Sequence, residues 1–337
     1  MKLNYTRKVL LFSLLLITQA AMAQDFHLSQ YDAAPLNLNP AMTGMFDGYY
    51  RFHAHYRTQW WNIATRPFVT TQLAYDMPFK KVGLGVEMMD FRAGAGNYNV
   101  MNLLFSASYD RAVDKNNNHH FSFGLQSGFI QKSVNMDKLT YGNQFDPAAA
   151  NGGRIDPNLP TFESFANRAT YLPDFNLGLI YYYCKNQSRI NPYIGFSSFH
   201  LSQPKETFYN FQNQLKIRYL VHGGMKVNVN EKIQLEPKFL YMSQINDREF
   251  TYSLIGYYYL KESGSFFILG STIRDRDAII IETGMQKGRY IYKLSYDVNT
   301  SSLRPTTNGR GGIEFSVTYI AFREKFKTIP VPNCPRP

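Results

Sequence analysis

Nowhere does this 337-residue chain string together the roughly 20 apolar residues that a spanning helix needs. Its longest apolar run, Val9 to Ile17, is far too short, so helical insertion into a membrane is excluded. That run follows Lys2, Arg7 and Lys8 and precedes Ala21-Met22-Ala23, the layout of a cleavable export signal over residues 1–23. The residue directly after the expected cleavage site is Gln24, not cysteine, which argues against a lipid-anchored lipoprotein. Tryptophan is scarce, with 2 residues against 25 Tyr and 26 Phe, a balance that suits β-structure and membrane interfaces better than a helical enzyme core. Basic runs are missing too. Of 36 Lys plus Arg, three lie in the leader, leaving 33 against 25 Asp plus Glu, or +8, scattered over strand faces and turns. No nucleic-acid surface is expected from that scatter; anionic lipid headgroups or an acidic partner fit it better. Gly83, Gly85, Gly94 and Gly96 are followed by no helical pattern and read as a hairpin, not as a phosphate loop.

What the chain does have is alternation. In Tyr49 to Trp60, YYRFHAHYRTQW, Tyr50, Phe52, Ala54 and Tyr56 share one face, and Arg51, His53, His55 and Arg57 share the other. Turn signals and the two-residue period define about fourteen such segments, near 49–60, 68–78, 82–91, 98–111, 119–132, 171–184, 191–199, 214–228, 233–243, 249–260, 265–274, 277–286, 290–299 and 311–322. Several approach the 9 to 11 residues with which a tilted strand crosses a bilayer, and an even count suits a single-chain bacterial barrel. Met101, Leu103, Phe105, Ala107 and Tyr109 form one apolar face; Leu215, Ile217, Tyr219, Val221, Met225 and Val227 form another. The three long connections, 133–170, 200–213 and 300–310, fall on the same side of the count, which becomes the outer side if both termini are periplasmic. The expected fold is therefore all-β: a closed antiparallel transmembrane barrel of about 14 strands over 49–322 in the cell outer membrane. Ahead of it lies a cap or plug segment, 24–48, and after it a periplasmic tail, 323–337. A soluble sandwich is the competing architecture, but no second sheet is evident to cover the Tyr- and Phe-rich faces.

Fourteen strands enclose more space than wall side chains fill, so water, loops or a plug must occupy the lumen. The expected inward faces carry Arg51, His53, His55, Arg57, Asp76, Glu87, Lys216, Arg218, His222, Lys226, Glu236, Lys238, Glu282, Lys293, Asp297 and Glu314. These read as a mutually satisfied network of ion pairs, with a dedicated ligand site as the alternative. Residues 24–48, rich in Asn and Pro without alternation, are the candidate plug, and a disordered leader is the other reading. His53 and His55 point the same way and would suit a metal pair, but no third or fourth ligand and no nucleophile motif accompany them. No catalytic residue, metal or cofactor is expected. His119 and His120 fall at a periplasmic turn and are expected in solvent. Cys184 and Cys334 both fall on the periplasmic side, where disulfides persist, so a bridge and two free thiols are both open.

Three stretches resemble the PorP/SprF family of the Bacteroidetes type IX secretion system: QDFHLSQYDAAPLNLNPAMTG (24–44), YIGFSSFHLSQP (193–204) and SYDVNTSSL (295–303). The likeness runs along the chain, including KLTYGNQFDP at 138–147 and Asn333-Cys334-Pro335. It implies an outer-membrane barrel, not an enzyme, that works with the other components of the secretion and gliding apparatus. Its role would be to assist export or surface retention of large adhesin-like proteins carrying a C-terminal targeting domain. The SQY and LNPA box suits a fixed turn against the barrel wall, with a cargo contact as the alternative. Phe145, Phe162, Phe165, Tyr209 and Phe211 in the outer loops are the candidate partner contacts, unless they pack on one another. A passive channel or hydrophobic-solute transporter is the competing function.

Overall fold

A computed structural model describes residues 27–61, 66–94, 96–147, 153–161, 168–185, 188–208 and 213–322. Fourteen strands form the wall: β1 (Tyr50–Gln59), β2 (Phe68–Phe79), β3 (Val82–Ala93), β4 (Tyr98–Ala112), β5 (His119–Ser133), β6 (Ala169–Tyr183) and β7 (Ile190–Phe199). The second half comprises β8 (Arg218–Asn228), β9 (Ile233–Gln244), β10 (Asp247–Leu260), β11 (Ser265–Arg274), β12 (Ala278–Lys287), β13 (Tyr290–Asn299) and β14 (Arg310–Ala321). Each pairs antiparallel with its neighbours in sequence, and β1 closes on β14 from Tyr50↔Ala321 to Gln59↔Gly312. Closure follows from the solvent: hydrocarbon offers no hydrogen-bond partner, so an open strand edge would leave its amides unpaired. Among the described residues no helix is long and apolar enough to cross a membrane.

The alternation resolves into two environments. On β1, Phe52 is 54% exposed while its neighbour His53 is 3% exposed, and the same inside–outside rhythm marks the other strands. Rings of Tyr50, Tyr75, Tyr290 and Tyr319 lie side by side near the end of the barrel where β1 begins, with Tyr50 6.0 Å from Tyr75 and Tyr290 5.0 Å from Tyr319. Such clustering is the aromatic belt of a membrane interface. Connections at that end are short, while 134–168, 200–217 and 300–309 all lie at the other, so the β1-start end is the periplasmic one.

Two local expectations are corrected. β8 begins at Arg218, not near residue 214, because Gln214 bridges Lys205 and turns the connection inward. Leu215 consequently faces no lipid: it is buried with Val100, Ile130 and Leu172 inside the outer mouth. His119 and His120 open β5 and are half-buried, one within 2.8 Å of the Tyr181 hydroxyl and the other stacked on Tyr182 at 4.8 Å.

The lumen is occupied by the chain itself. Residues 27–48 run from the outer half of the barrel to its periplasmic rim in three short helical turns, Tyr31–Ala33, Pro35–Leu38 and Pro40–Met42. Pro35 and Pro40 each open a turn, where the missing N–H costs nothing and the ring presets φ. Leu36, Leu38, Ala41, Met42 and Met45 are buried, packed partly against Ile180, Leu220 and Leu240 of the wall.

Candidate functional site: the lumen and its inner segment

At the outer end of the segment, Glu314 on β14 is the hub. It accepts the backbone N–H groups of Ser29 at 2.6 Å and Gln30 at 2.9 Å, and faces Arg57 at 3.0 Å and His55 at 3.0 Å from β1. Asp297 on β13 accepts from the Ser29 hydroxyl at 2.6 Å and pairs with Arg57 at 3.1 Å and Arg274 at 3.2 Å. Arg57 also donates to the His27 carbonyl, and Gln30 reaches Ser295 at 2.9 Å and Ser316 at 2.7 Å. Charges this deeply enclosed are tolerable only when paired, and here the segment's own amides add to the pairing of Glu314. Burial lowers the tendency of His27 to take a proton, and the guanidiniums of Arg274 and Arg57 lower it further.

Lower in the lumen, Asp32 of the segment lies between two lysines of the wall, 2.6 Å from Lys238 and 2.7 Å from Lys293. Burial by itself would raise its carboxyl, but the two ammonium groups together outweigh that and hold it well below the usual carboxylate range. Glu282 takes the other side of Lys293 at 3.0 Å. Tyr31 donates or accepts with Ser253 at 3.2 Å, and its burial pushes the phenol up to about 12.

The LNPA box is fastened differently, through one amide side chain. Asn39 Oδ1 accepts from Ala41 N at 2.9 Å, capping the last helical turn, while Nδ2 shares its two hydrogens among the carbonyls of Leu179 at 3.1 Å and Phe196 at 3.2 Å and the neighbouring His222 Nε2 at 3.0 Å. Around it, Ser197 donates to Leu38 O at 2.8 Å, Ser122 to Ala41 O at 2.8 Å and Ser108 to Thr43 O at 2.6 Å. The wall makes room with glycine. Gly124 and Gly178 face each other across β5 and β6, and a Cβ on Gly178 would strike Asn39 Oδ1, one on Gly124 the Pro40 carbonyl. At the periplasmic rim Arg51 binds Asp76 through two contacts, 2.9 and 2.7 Å, and stacks on Phe46, while Gly44 N donates to Asp76 at 2.7 Å.

Of the residues read from sequence as lumen charges, Arg51, His53, His55, Arg57, Asp76, Glu87, Arg218, His222 and Glu282 are buried on the inner wall. His53 meets Thr318 at 2.8 Å, Glu87 accepts from Gln72 at 2.8 Å, and Arg218 lies over the Phe199 ring. Lys216 stands apart: it precedes β8, is half-buried at the outer mouth, and its ammonium donates to Gln214 at 3.3 Å. Residues not singled out as site members, Ser29, Gln30, Asp32, Asn39, Ser197, Arg274 and Ser295, supply the contacts between segment and wall. Arg274 excepted, their signal was the motif set itself, since the SQY and LNPA stretch touches both the 193–204 and the 295–303 stretch.

In the outer connections, Phe145 is exposed in a two-residue ladder, Phe145–Asp146 with Arg154–Ile155. Phe162, Phe165, Tyr209 and Phe211 lie outside the described residues. Cys184 is buried beside Met42 and Met45, and Cys334 lies outside the described residues. Among the described residues no cluster of three or more His, Cys, Asp or Glu is placed to hold a metal.

Comparison with known proteins agrees with the barrel. The toluene transporter TodX of Pseudomonas putida superposes with a TM-score of 0.51 at 10% identity, covering 88% of this chain and 94% of that one. The toluene transporter TbuX of Ralstonia pickettii gives 0.50 at 10% identity, covering 86% and 94%. Identities this low establish a common fold only, that of outer-membrane barrels. Curated protein sequences yield no match. The model of a family described as type IX secretion system membrane protein PorP/SprF, however, matches residues 20–319, so nearly all of the barrel and its inner segment are covered. The chain therefore belongs to the PorP/SprF family of type IX secretion system membrane proteins, and its place is the outer membrane.

Proposed function

We propose that this barrel is a non-enzymatic dock of the type IX secretion and gliding apparatus, assisting export or surface retention of large adhesin-like proteins with a C-terminal targeting domain. One observation carries the reading: the lumen is filled by residues 27–48, fastened to the wall by Glu314, Asp297, Asn39, Asp32 and Asp76. A lumen so occupied engages a folded partner at its ends. Other secretion components supply the energy, since the chain carries no nucleotide motif. Outer connections 134–168 and 200–217, with Phe145, Phe162, Phe165, Tyr209 and Phe211, are the surface offered to cargo. In a deletion strain, one surface adhesin is lost while other exported proteins are displayed normally. Normal display of all of them refutes the role.

A second reading, a channel for hydrophobic solutes, is favoured by the fold shared with toluene transporters. Purified barrel in vesicles decides between them: the dock leaves solute uptake at the level of empty vesicles, and the channel raises it.

A further inference from the structure

Near the periplasmic rim, a continuous row of tyrosine rings crosses the outside of the seam where β14 meets β1. Tyr292 stacks on Tyr290 at 5.8 Å, Tyr290 lies 5.0 Å from Tyr319, Tyr319 lies 6.1 Å from Tyr50, and Tyr50 lies 6.0 Å from Tyr75. Strands β13, β14, β1 and β2 thus build one platform. Its rings stand on the face that alternation turns toward lipid, and Tyr50, Tyr290 and Tyr292 are exposed.

Basic residues flank the platform on both sides. On the β2–β3 turn Lys80 and Lys81 are exposed, and the Lys80 ammonium lies 5.8 Å from the ring centroid of Phe79, itself 59% exposed on the outer face. Lys287 ends β12, exposed on the face it shares with Ile281 and Met285. Beside it the Arg289 guanidinium donates to the Tyr319 hydroxyl at 3.4 Å and lies over the Phe322 ring. Lys80, Lys81 and Lys287 form no ion pair among the described residues. Acid is missing from this surface as well. On the outward faces of β12, β13, β14, β1, β2 and β3, Asp90 is the one acid among the described residues, and it lies toward the far rim, 2.8 Å from Arg92.

We propose that this sector of the rim binds anionic glycerophospholipids of the inner leaflet, their phosphates on Lys80, Lys81, Lys287 and Arg289 and their acyl chains along the tyrosine platform. The surface chemistry selects the occupant. Phenols at the interface donate to phosphate oxygens, and lysine stems lie along apolar surface with the ammonium held at headgroup depth. An acidic periplasmic protein satisfies the cations alone; a lipid satisfies the cations, the phenols and the apolar faces beside them. With neighbouring strands about 4.8 Å apart, β13 and β2 are separated by about 14 Å, so the two flanks hold separate headgroups. The seam is then bordered by a bound lipid on either side.

The test titrates full-length protein, folded in detergent and stripped of lipid, with phosphatidylglycerol or phosphatidylcholine, and counts bound lipids by native mass spectrometry. Half-saturation should come at about tenfold lower phosphatidylglycerol than phosphatidylcholine, the size expected when one or two basic side chains meet each anionic headgroup. Lys80→Gln, Lys81→Gln and Lys287→Gln together should abolish the preference while keeping the gel shift between unheated and boiled samples that marks a folded barrel. If that variant loses the shift, Lys287→Gln alone, which should halve the number of preferred lipids, takes its place. Lys115→Gln with Lys261→Gln, on periplasmic turns outside the sector, should keep the full preference. Inorganic phosphate at matched ionic strength should leave the lipid bound. Equal half-saturation of the two lipids by wild type overturns the proposal and leaves the lysines to an acidic protein. It is equally overturned by a folded lysine variant that keeps the full preference, by a remote variant that loses it, or by displacement with phosphate, which marks a site for free anions.

Discussion

Replacing Asn39 by Ala tests how the inner segment is held. The side chain is fully buried; its oxygen makes the cap, and its two amide hydrogens are shared among Leu179 O, Phe196 O and His222 Nε2. Loss of a cap costs about 1 kcal/mol, and each lost buried hydrogen bond about 1 kcal/mol net. The sum, about 3–4 kcal/mol, falls on the docking of residues 27–48 and not on the wall, whose ladders run independently of it. Since 1.4 kcal/mol is tenfold in population, the undocked state should rise by about 10² to 10³. Protease cleavage within 27–48 follows that population when opening is fast relative to cutting, so the rate should climb by the same factor while the boiled-versus-unheated gel shift persists. Asn39→Asp separates the two halves of the argument. It keeps the capping oxygen but turns an acceptor toward two carbonyls, so it should be at least as fast as Asn39→Ala. Cleavage of the Asp variant at the wild-type rate would refute the reasoning, because the cap alone would then hold the segment.

Other perturbations have equally definite outcomes. A side chain at Gly178 collides with the Asn39 amide, so Gly178→Leu should expel the segment, and rapid proteolysis of residues 27–48 in a still-folded barrel reports it. Docking should weaken in two steps as the medium is acidified. His27 is held below its ordinary pKa when docked, so the undocked chain takes up the proton first and docking loses stability as pH falls below about 6.5. Asp32 is held low, so its contribution is complete above about pH 4 and is lost beneath it. Hydrogen exchange of segment amides against pH, corrected for intrinsic rates, shows both steps, and His27→Asn should flatten the upper one alone. Leu215→Ala should cost about 2–4 kcal/mol in the apolar cluster at the outer mouth, read as faster exchange in 200–217 with the wall unchanged.

The strands were legible because their physics is binary. Each residue of β1 faces either lipid or lumen, and the hydrophobic pattern of Tyr50 to Gln59 states which. Strand count and the side carrying the long connections follow from the same pattern. Legibility ended where alternation ceased to mean a wall. Gln214 to Ile217 continue the period of β8, yet the bridge to Lys205 bends them inward, a tertiary contact that local pattern does not encode. The path of residues 27–48 was hidden for a related reason: Ser29 and Glu314 are 285 positions apart, and no periodicity announces a segment whose contacts are all remote. Asn and Pro in the LNPA box did mark a fixed turn, but which carbonyls Asn39 would reach depended on β6 and β7 being neighbours. Arg274 gave no signal because a lone charge reads alike whether it faces water or the carboxylates of Asp277 and Asp297.

Glu314 sits on the strand that seals the ring, and Arg57 on the strand it seals against, while both grip backbone preceding the first of them. Threading and sealing are thus one event: until the seam zips, the socket for Ser29 and Gln30 lacks half its walls. An assembly intermediate arrested before β14 would carry a dangling leader, which offers the cell a ready mark for telling unfinished cylinders from finished ones.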